Sequence, residues 1–402
     1  MFKFFNTFSF VFLLKKPLPL LIIAILLACT PLAYAQDSLI YSGFSFIGQN
    51  SENQERYPYA TELSMQTTKN GMPVLDDALQ EVIKNNYQRS ESLIDTQKDV
   101  ESGTSLALAF GLSQESIERV GWKGENLYIY RVLAEILVFN FKQKLLLANF
   151  PVMLQYQELD KNLRDTEAHR RVFRRIYLDI DDNDTSIFKE WVSRLNSIEI
   201  KESYPLFLKV RNLNLDPELL KQLPKGLSPK AYTSEVVQLF ETILSKEQKV
   251  SMVPYIKGQA VGSKMPMRFS DARIFQLELP DGDFLFDIDL EPFKHMMKND
   301  GSSQKHAFGA FATIRLSLSS PNNPKIYLDQ RFKKINFAVF STEDNVDVDI
   351  WHSQQTTLKS LFVKFSQQIS QKDKKTLSKM VKNPKTCIKQ LAQAEEKISK
   401  CR

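Results

Sequence analysis

Three carboxylates, Asp287, Asp289 and Glu291, occupy alternate positions of one short run, with His295 just beyond them and His352 further along. Acids at i, i+2 and i+4 share one face of a strand. Such a face with a histidine in reach is equipped for general acid–base chemistry, the chemistry of an exported hydrolase. The intervening Phe286, Ile288 and Leu290 alternate with the acids without a break, as any half-exposed antiparallel strand does. The bland reading is therefore a solvated sheet face. A further acidic run, Glu343, Asp344, Asp347 and Asp349, precedes Trp351 and His352 and reads as a loop whose Ser353 caps the last helix.

A denser acidic run fills 179–190. Calcium takes about six to eight oxygen ligands, and side-chain oxygens at alternate positions followed by a bidentate Glu can wrap one ion. Asp179, Asp181, Asn183 and Glu190 stand at positions 1, 3, 5 and 12 of that spacing, so these twelve residues resemble the calcium loop of the EF-hand family. The resemblance implies a calcium-stabilised structural module with those four as metal ligands. It departs at position 6, where Asp184 replaces the turn glycine, and at position 8, where Ser186 replaces an aliphatic residue. No partner loop occurs elsewhere. Without an ion the run is a solvated connection in which Asp184 or Thr185 caps the next helix.

Other chemistries lack their residues. His169, His295, His306 and His352 contain no i, i+4 metal pair. The segment 258–264 has the wrong spacing for a phosphate loop, and its serine precedes its lysine. No Gly-x-Ser-x-Gly elbow, His-Glu-x-x-His or Gly-x-Gly-x-x-Gly occurs. Glycine is scarce, 13 of 402 residues against a usual ~7%, so few backbone loops can close around a phosphate. No cofactor besides calcium is expected, and no nucleic-acid partner.

The elements that must position these groups read as two α+β domains, each an antiparallel sheet built around a long β-hairpin with flanking helices. Residues 36–200 contain a strand at 39–46, a helix at 74–86, a short strand at 105–110, and two apolar runs, 127–141 and 145–159, that flank three polar residues as a hairpin. Arg131 and Glu135 share a parity in the first run, which makes one face partly wet. Helices follow at 166–178 and 186–197, the arginines around His169 forming a solvated face. Residues 201–230, broken by Pro205, Pro217, Pro224 and Pro229, read as a linker. The second domain, 231–370, holds a helix at 234–246 capped by Ser234, a strand at 250–256, a hairpin of 272–279 and 284–290 around Pro-Asp-Gly-Asp, a longer hairpin of 308–318 and 326–340, and a closing helix at 353–370. The shared order of elements suggests an internal duplication. Two stretches without periodicity, 252–271 and 56–59, are rich in Met, Pro or aromatic residues and read as packed loops or contact surfaces.

Residues 1–35 read as an export signal, with Lys15 and Lys16, an apolar run at 17–28, and Ala33-Tyr34-Ala35 before Gln36. The run falls short of the ~20 residues of a membrane span. Leu26-Leu27-Ala28-Cys29 also fits a lipobox with Cys29 as the acylated residue, and the apolar stretch 4–14 leaves an uncleaved anchor as a third form. The mature chain is expected to be periplasmic or secreted, alternatively an outer-membrane lipoprotein, meeting the membrane only through a lipid or N-terminal anchor. Cys387 and Cys401 are the other cysteines. Export permits a disulfide, but the helix between them separates the pair by about 21 Å, beyond the ~7 Å reach of a bridge. The helix is broken, the thiols are free, or they pair between chains.

The net charge of +6 divides unevenly: 359–402 carry twelve Lys and Arg against three acids, 1–35 carry three lysines and no acid, and the body, 36–358, is left at −6. A basic helical tail at 371–402 thus follows an acidic body. The combined expectation is a non-catalytic exported envelope protein that contacts other envelope proteins, or an anionic envelope surface through a detached basic tail.

Overall fold

The long apolar runs become consecutive antiparallel strands, β3 (Leu106–Trp122), β4 (Glu125–Asn140) and β5 (Leu145–Asp160). The computed structural model describes residues 38–48, 56–89, 92–95, 106–122, 124–178, 185–255, 264–270, 272–299, 305–341 and 349–402. With β1 (Ser38–Ile47), β2 (Ser92–Asp95), β8 (Lys264–Phe269) and β9 (Ile274–Glu278), these strands form a seven-stranded sheet in the order β2-β1-β3-β4-β5-β9-β8. β8 also pairs with the end of β1, Ser45 opposite Phe269, so the sheet closes on itself. Period-two alternation sorts its side chains. Ala107, Ala109, Leu137 and Phe139 pack inside the closed end with Met265, Met267 and Leu277. Leu108, Phe110, Ile136 and Val138 face outward, in one core with α1 (Pro58–Ser64), α2 (Val74–Asn86), α3 (Thr166–Leu178) and α4 (Ile187–Ser197). The register of β1 shifts beside Gly43, whose φ of +103° suits glycine, and there the Asp76 carboxylate accepts the Phe44 N–H at 2.8 Å.

The second sheet has six strands, β6 (Leu208–Leu215), β7 (Met252–Val253), β10 (Phe284–Leu290), β11 (Lys294–Asn299), β12 (Lys305–Ser320) and β13 (Asn323–Ser341). Its order is β11-β12-β10-β6-β7, with β13 paired to β12. The strand orders of the two sheets differ. In the first, β1 lies parallel to β3 of the long antiparallel run; in the second, β10 is antiparallel to the long β12–β13 hairpin and β6 lies parallel to β10. The second core lies between this sheet and α5 (Pro217–Leu220), α6 (Pro229–Gln248), α7 (Ile350–Gln371), α8 (Lys374–Met380) and α9 (Pro384–Ser399). Phe240 of α6 meets Phe286 of β10 and Phe362 and Phe365 of α7, with ring centroids 5.3, 5.2 and 6.1 Å away.

Several segments differ from the sequence expectation because partners distant along the chain decide their structure. The expected linker supplies β6 to the second sheet, and two of its prolines open helices: Pro217 in α5, and Pro229 in α6, which Ser228 caps rather than Ser234. Residues 264–278, expected in the second domain, complete the first sheet as β8 and β9. The Pro-Asp-Gly-Asp segment closes no hairpin, since β9 and β10 belong to different sheets. Asp283 fastens that crossing, its carboxylate accepting the Phe207 N–H and its own N–H donating to the Phe207 carbonyl, each at 2.8 Å.

β3 runs to Trp122 instead of ending near 110. Its buried Glu115 accepts the Tyr59 and Ala60 N–H groups at 3.0 and 2.9 Å and the Tyr177 hydroxyl at 2.7 Å. Glu135, expected on a wet face, is buried. The C-terminal segment is not detached. Leu377, Met380, Leu391 and Ile398 belong to the second core, and α9 packs on α7 and β13. The stretch at 56–59 is packed too: Tyr57 is buried, and Tyr59 stacks on Phe173 at 4.3 Å.

Candidate functional site

The strand alternation of β10 sends Phe286, Ile288 and Leu290 into the core and leaves Asp287 and Asp289 outside, followed by Glu291. Neighbouring strands meet these acids one by one. Arg211 of β6 holds Asp287, with its Nε 2.9 Å from Oδ1; Asn214 donates to Asp289 at 2.8 Å; Arg331 of β13 forks onto Glu291. Arg315 and Asp329 make a further cross-strand pair at 2.7 and 2.8 Å. The Arg331 hydrogen bond holds Glu291 below the usual carboxylate range against partial burial. His295 lies flat against Phe308 of β12, and His352 pairs with Glu118, so the structure does not converge a histidine on these acids. The arrangement is a charged ladder on a sheet face.

His352 belongs instead to the seam between the two sheets. A cavity of about 230 Å³ opens there between the β3–β4–β5 surface and helices α6 and α7, lined by Arg131, Glu235, His352 and Lys359 among others. His352 Nδ1 lies 3.1 Å from Glu118 Oε1; Arg131 bonds Glu118 and reaches Glu235 at 3.8 Å; Lys359 donates to Gln155 at 3.1 Å. Burial acts to raise the Glu118 carboxyl, but hydrogen bonds from His352 and Arg131 outweigh it and hold it below its ordinary value. Burial raises Glu235 with Arg131 opposing, and burial together with Arg131 lowers Lys359. His352, Glu118 and Arg131 hold one another, with Glu235 and Lys359 beside them, so the network ties helices α6 and α7 to the β3–β4–β5 surface.

A third feature lies on α8 and α9. Asp373 caps α8, accepting the Thr376 N–H at 2.8 Å, and Asn383 caps α9, followed by Pro384 at its first position. Cys387, Leu391, Ala394 and Ile398 recur at helical spacing and form the inner stripe of α9. Helical periodicity puts Lys385 and Lys389 on the opposite side. Both are exposed, as are Lys374, Lys375, Lys379 and Lys382. Among the described residues none of these six sits in an ion pair, whereas Lys372, Lys397 and Lys400 are held by Glu395 and Glu396. The arginines of α3 are engaged: Arg170 bonds Glu62 at 2.9 Å, Arg174 donates to Gln66 at 3.2 Å and Arg175 pairs with Glu158.

The remaining candidates are distributed as follows. Asp179, Asp181, Asn183 and Cys29 lie outside the described residues, as does the segment 1–35. Glu190 stands in the first turn of α4, 3.4 Å from Lys246, and Ser186 caps that helix in place of Asp184 or Thr185. Cys387 and Cys401 are free and buried, and burial pushes their thiols up to about 11 and about 12. Sequence reasoning missed the role of His352 and Glu118, which are 234 residues apart. It also missed the two-sidedness of the tail, although the stripe 387/391/394/398 was a readable signal.

No protein-family model matches the chain, and no curated protein sequence matches it. Among solved structures, a minor lipoprotein from Acinetobacter baumannii is similar over 45% of this chain and 98% of its own, at 9% identity and a TM-score of 0.21. At that score the likeness carries no argument. No helix among the described residues is long and apolar enough to cross a membrane.

Proposed function

We propose that the protein is a non-catalytic, exported envelope protein that docks on an anionic membrane surface through the outer face of α8 and α9. The observation that carries this reading is the split of these two helices into a core-facing apolar stripe and an outer face of unpaired, exposed lysines. The inner stripe fixes the backbone, so the lysines form a standing array rather than a loose tail. Each lysine near an anionic surface contributes about 1 kcal/mol, so four acting together change binding about 10³-fold. The attraction weakens as salt shortens its range to about 8 Å at physiological ionic strength. Export, or acylation at Cys29, as expected from the sequence, would put such a surface within reach.

The test is sedimentation of the full mature chain with vesicles of phosphatidylglycerol and phosphatidylcholine, against pure phosphatidylcholine. Wild-type protein binds the anionic vesicles and is released by salt. The combined Lys379→Glu, Lys382→Glu, Lys385→Glu and Lys389→Glu variant melts like wild type and no longer binds. Equal binding by the variant, or no preference for anionic vesicles, overturns the reading.

A further inference from the structure

A second, smaller cavity lies on the same seam. It measures about 10 Å³, room for one water-sized occupant, and is bounded by Ser113, Glu135, Gln238, Glu241 and Tyr255 together with Arg56. All five of the first group are at least nine-tenths buried. Each presents an oxygen with no hydrogen-bond partner: Ser113 Oγ, Glu135 Oε2, Gln238 Oε1, Glu241 Oε1 and Tyr255 Oη. Buried polar atoms are nearly always paired, so five unpaired oxygens around one small space call for an occupant.

The fold assembles this set from both sides. Ser113 sits where the β3 register slips between Leu112 and Gln114, and Glu135 projects from β4. Gln238 and Glu241 are three residues apart on α6 and so share a helix face, and Tyr255 follows β7. The basic groups nearby are otherwise engaged or remote. Arg56 donates to the Ile47 and Ser113 carbonyls at 3.3 and 2.7 Å, and Lys209 acts on Glu241 only as a weak opposing charge. Burial pushes the Glu135 carboxyl up to about 8 and raises Glu241 well above its ordinary value, with Glu135 adding to the latter. Two buried carboxylates with little compensating charge are costly unless a cation or protons neutralise them.

We propose that this chamber binds one hard divalent cation of the calcium class, and that the ion pins the two sheets together. The donors are all oxygen, two of them carboxylates, which is the chemistry of calcium rather than of a thiolate- or imidazole-seeking metal. Magnesium keeps several of its waters, and the chamber has no room for them. Among the described residues no cluster of three or more His, Cys, Asp or Glu is arranged for a metal. This site therefore relies on an amide and two hydroxyl oxygens beside its two acids.

The experiment uses the full chain freed of metal with a chelator. Calcium at a hundredfold excess over its Kd raises Tm by about 5 °C or more, magnesium does not, and terbium substituted for calcium shows luminescence sensitised by Tyr255. In the Glu135→Gln, Glu241→Gln double variant, which keeps the side-chain volumes, both responses vanish. Should that variant fold poorly, Tyr255→Phe keeps the fold and loses the terbium signal. A calcium response that survives the double variant places the ion elsewhere, for instance at 179–190, and overturns the proposal. So does stability that follows pH with no response to calcium, since protons then neutralise the pair.

Discussion

Truncation before Lys372 should unfold the second sheet and its helices while sparing the first. The side chains removed from the core include Leu377, Met380, Leu391 and Ile398, each 3% exposed or less. Burial of one such side chain contributes about 1.5–3 kcal/mol, so the four together contribute roughly 6–12 kcal/mol. The stability of a whole domain is about 5–15 kcal/mol. Truncation also strips cover from Tyr327, Leu328 and Phe332 on β13, and removes the Arg402 side chain that donates to the Gln248 carbonyl at 2.9 Å. Hydrogen exchange read by mass spectrometry resolves the outcome by region. Amides of β10, β12 and β13 should lose protection, while those of β3, β4 and β5 keep it. A truncated chain that protects β12 as the full chain does would refute the reasoning. For the same reason, truncation cannot test docking, because it destroys the face and the fold together; charge reversal separates them.

Other perturbations follow from single contacts. Glu115→Ala strands two N–H groups and the Tyr177 hydroxyl in a buried site; at roughly 1–3 kcal/mol for each orphaned group, urea unfolding should show a loss of at least 3 kcal/mol. Gly43→Ala forces an L residue to a φ of +103° with its Cβ 2.9 Å from Asp76 Oδ1, and thermal melting should report a loss of about 1–3 kcal/mol. Glu135 titrates near 8 in the folded chain and near 4.5 when exposed. Between these values the folded state holds a proton that the unfolded state has released, so the contribution of Glu135 to stability is fully present below about 4.5 and is lost as pH rises towards 8. With chelator present, Glu135→Gln should flatten that fall in melts taken from pH 5 to 8.

Local patterns were legible wherever local contacts decide structure. β10 occupies 284–290 as its alternation requires, and α2 follows Leu75, Leu79, Val82 and Ile83. The α+β class and the long hairpins could be read for the same reason. Pairing over long separations left no local trace. β1 meets β8 across more than two hundred residues, and nothing around Lys264 says that its strand returns to the first sheet. Polar residues in β3 concealed a strand because their partners lie on α1 and α3. In the tail, a count of lysines hid the apolar stripe beneath them. For the candidate site, the sequence showed acids on β10 but not the arginines opposite, which arrive from β6 and β13. The parity of Glu135 was read correctly, but its burial depends on α6, which packs over it from the second half of the chain.

The most direct test of the docking account is lysine acetylation footprinting of the full chain with and without anionic vesicles, read by mass spectrometry. The account predicts protection of Lys379, Lys382, Lys385 and Lys389, with exposed lysines elsewhere in the chain, such as Lys144, Lys161 and Lys225, labelled equally in both states. Uniform labelling at all of these positions, or protection confined to Lys144, Lys161 or Lys225, would contradict it.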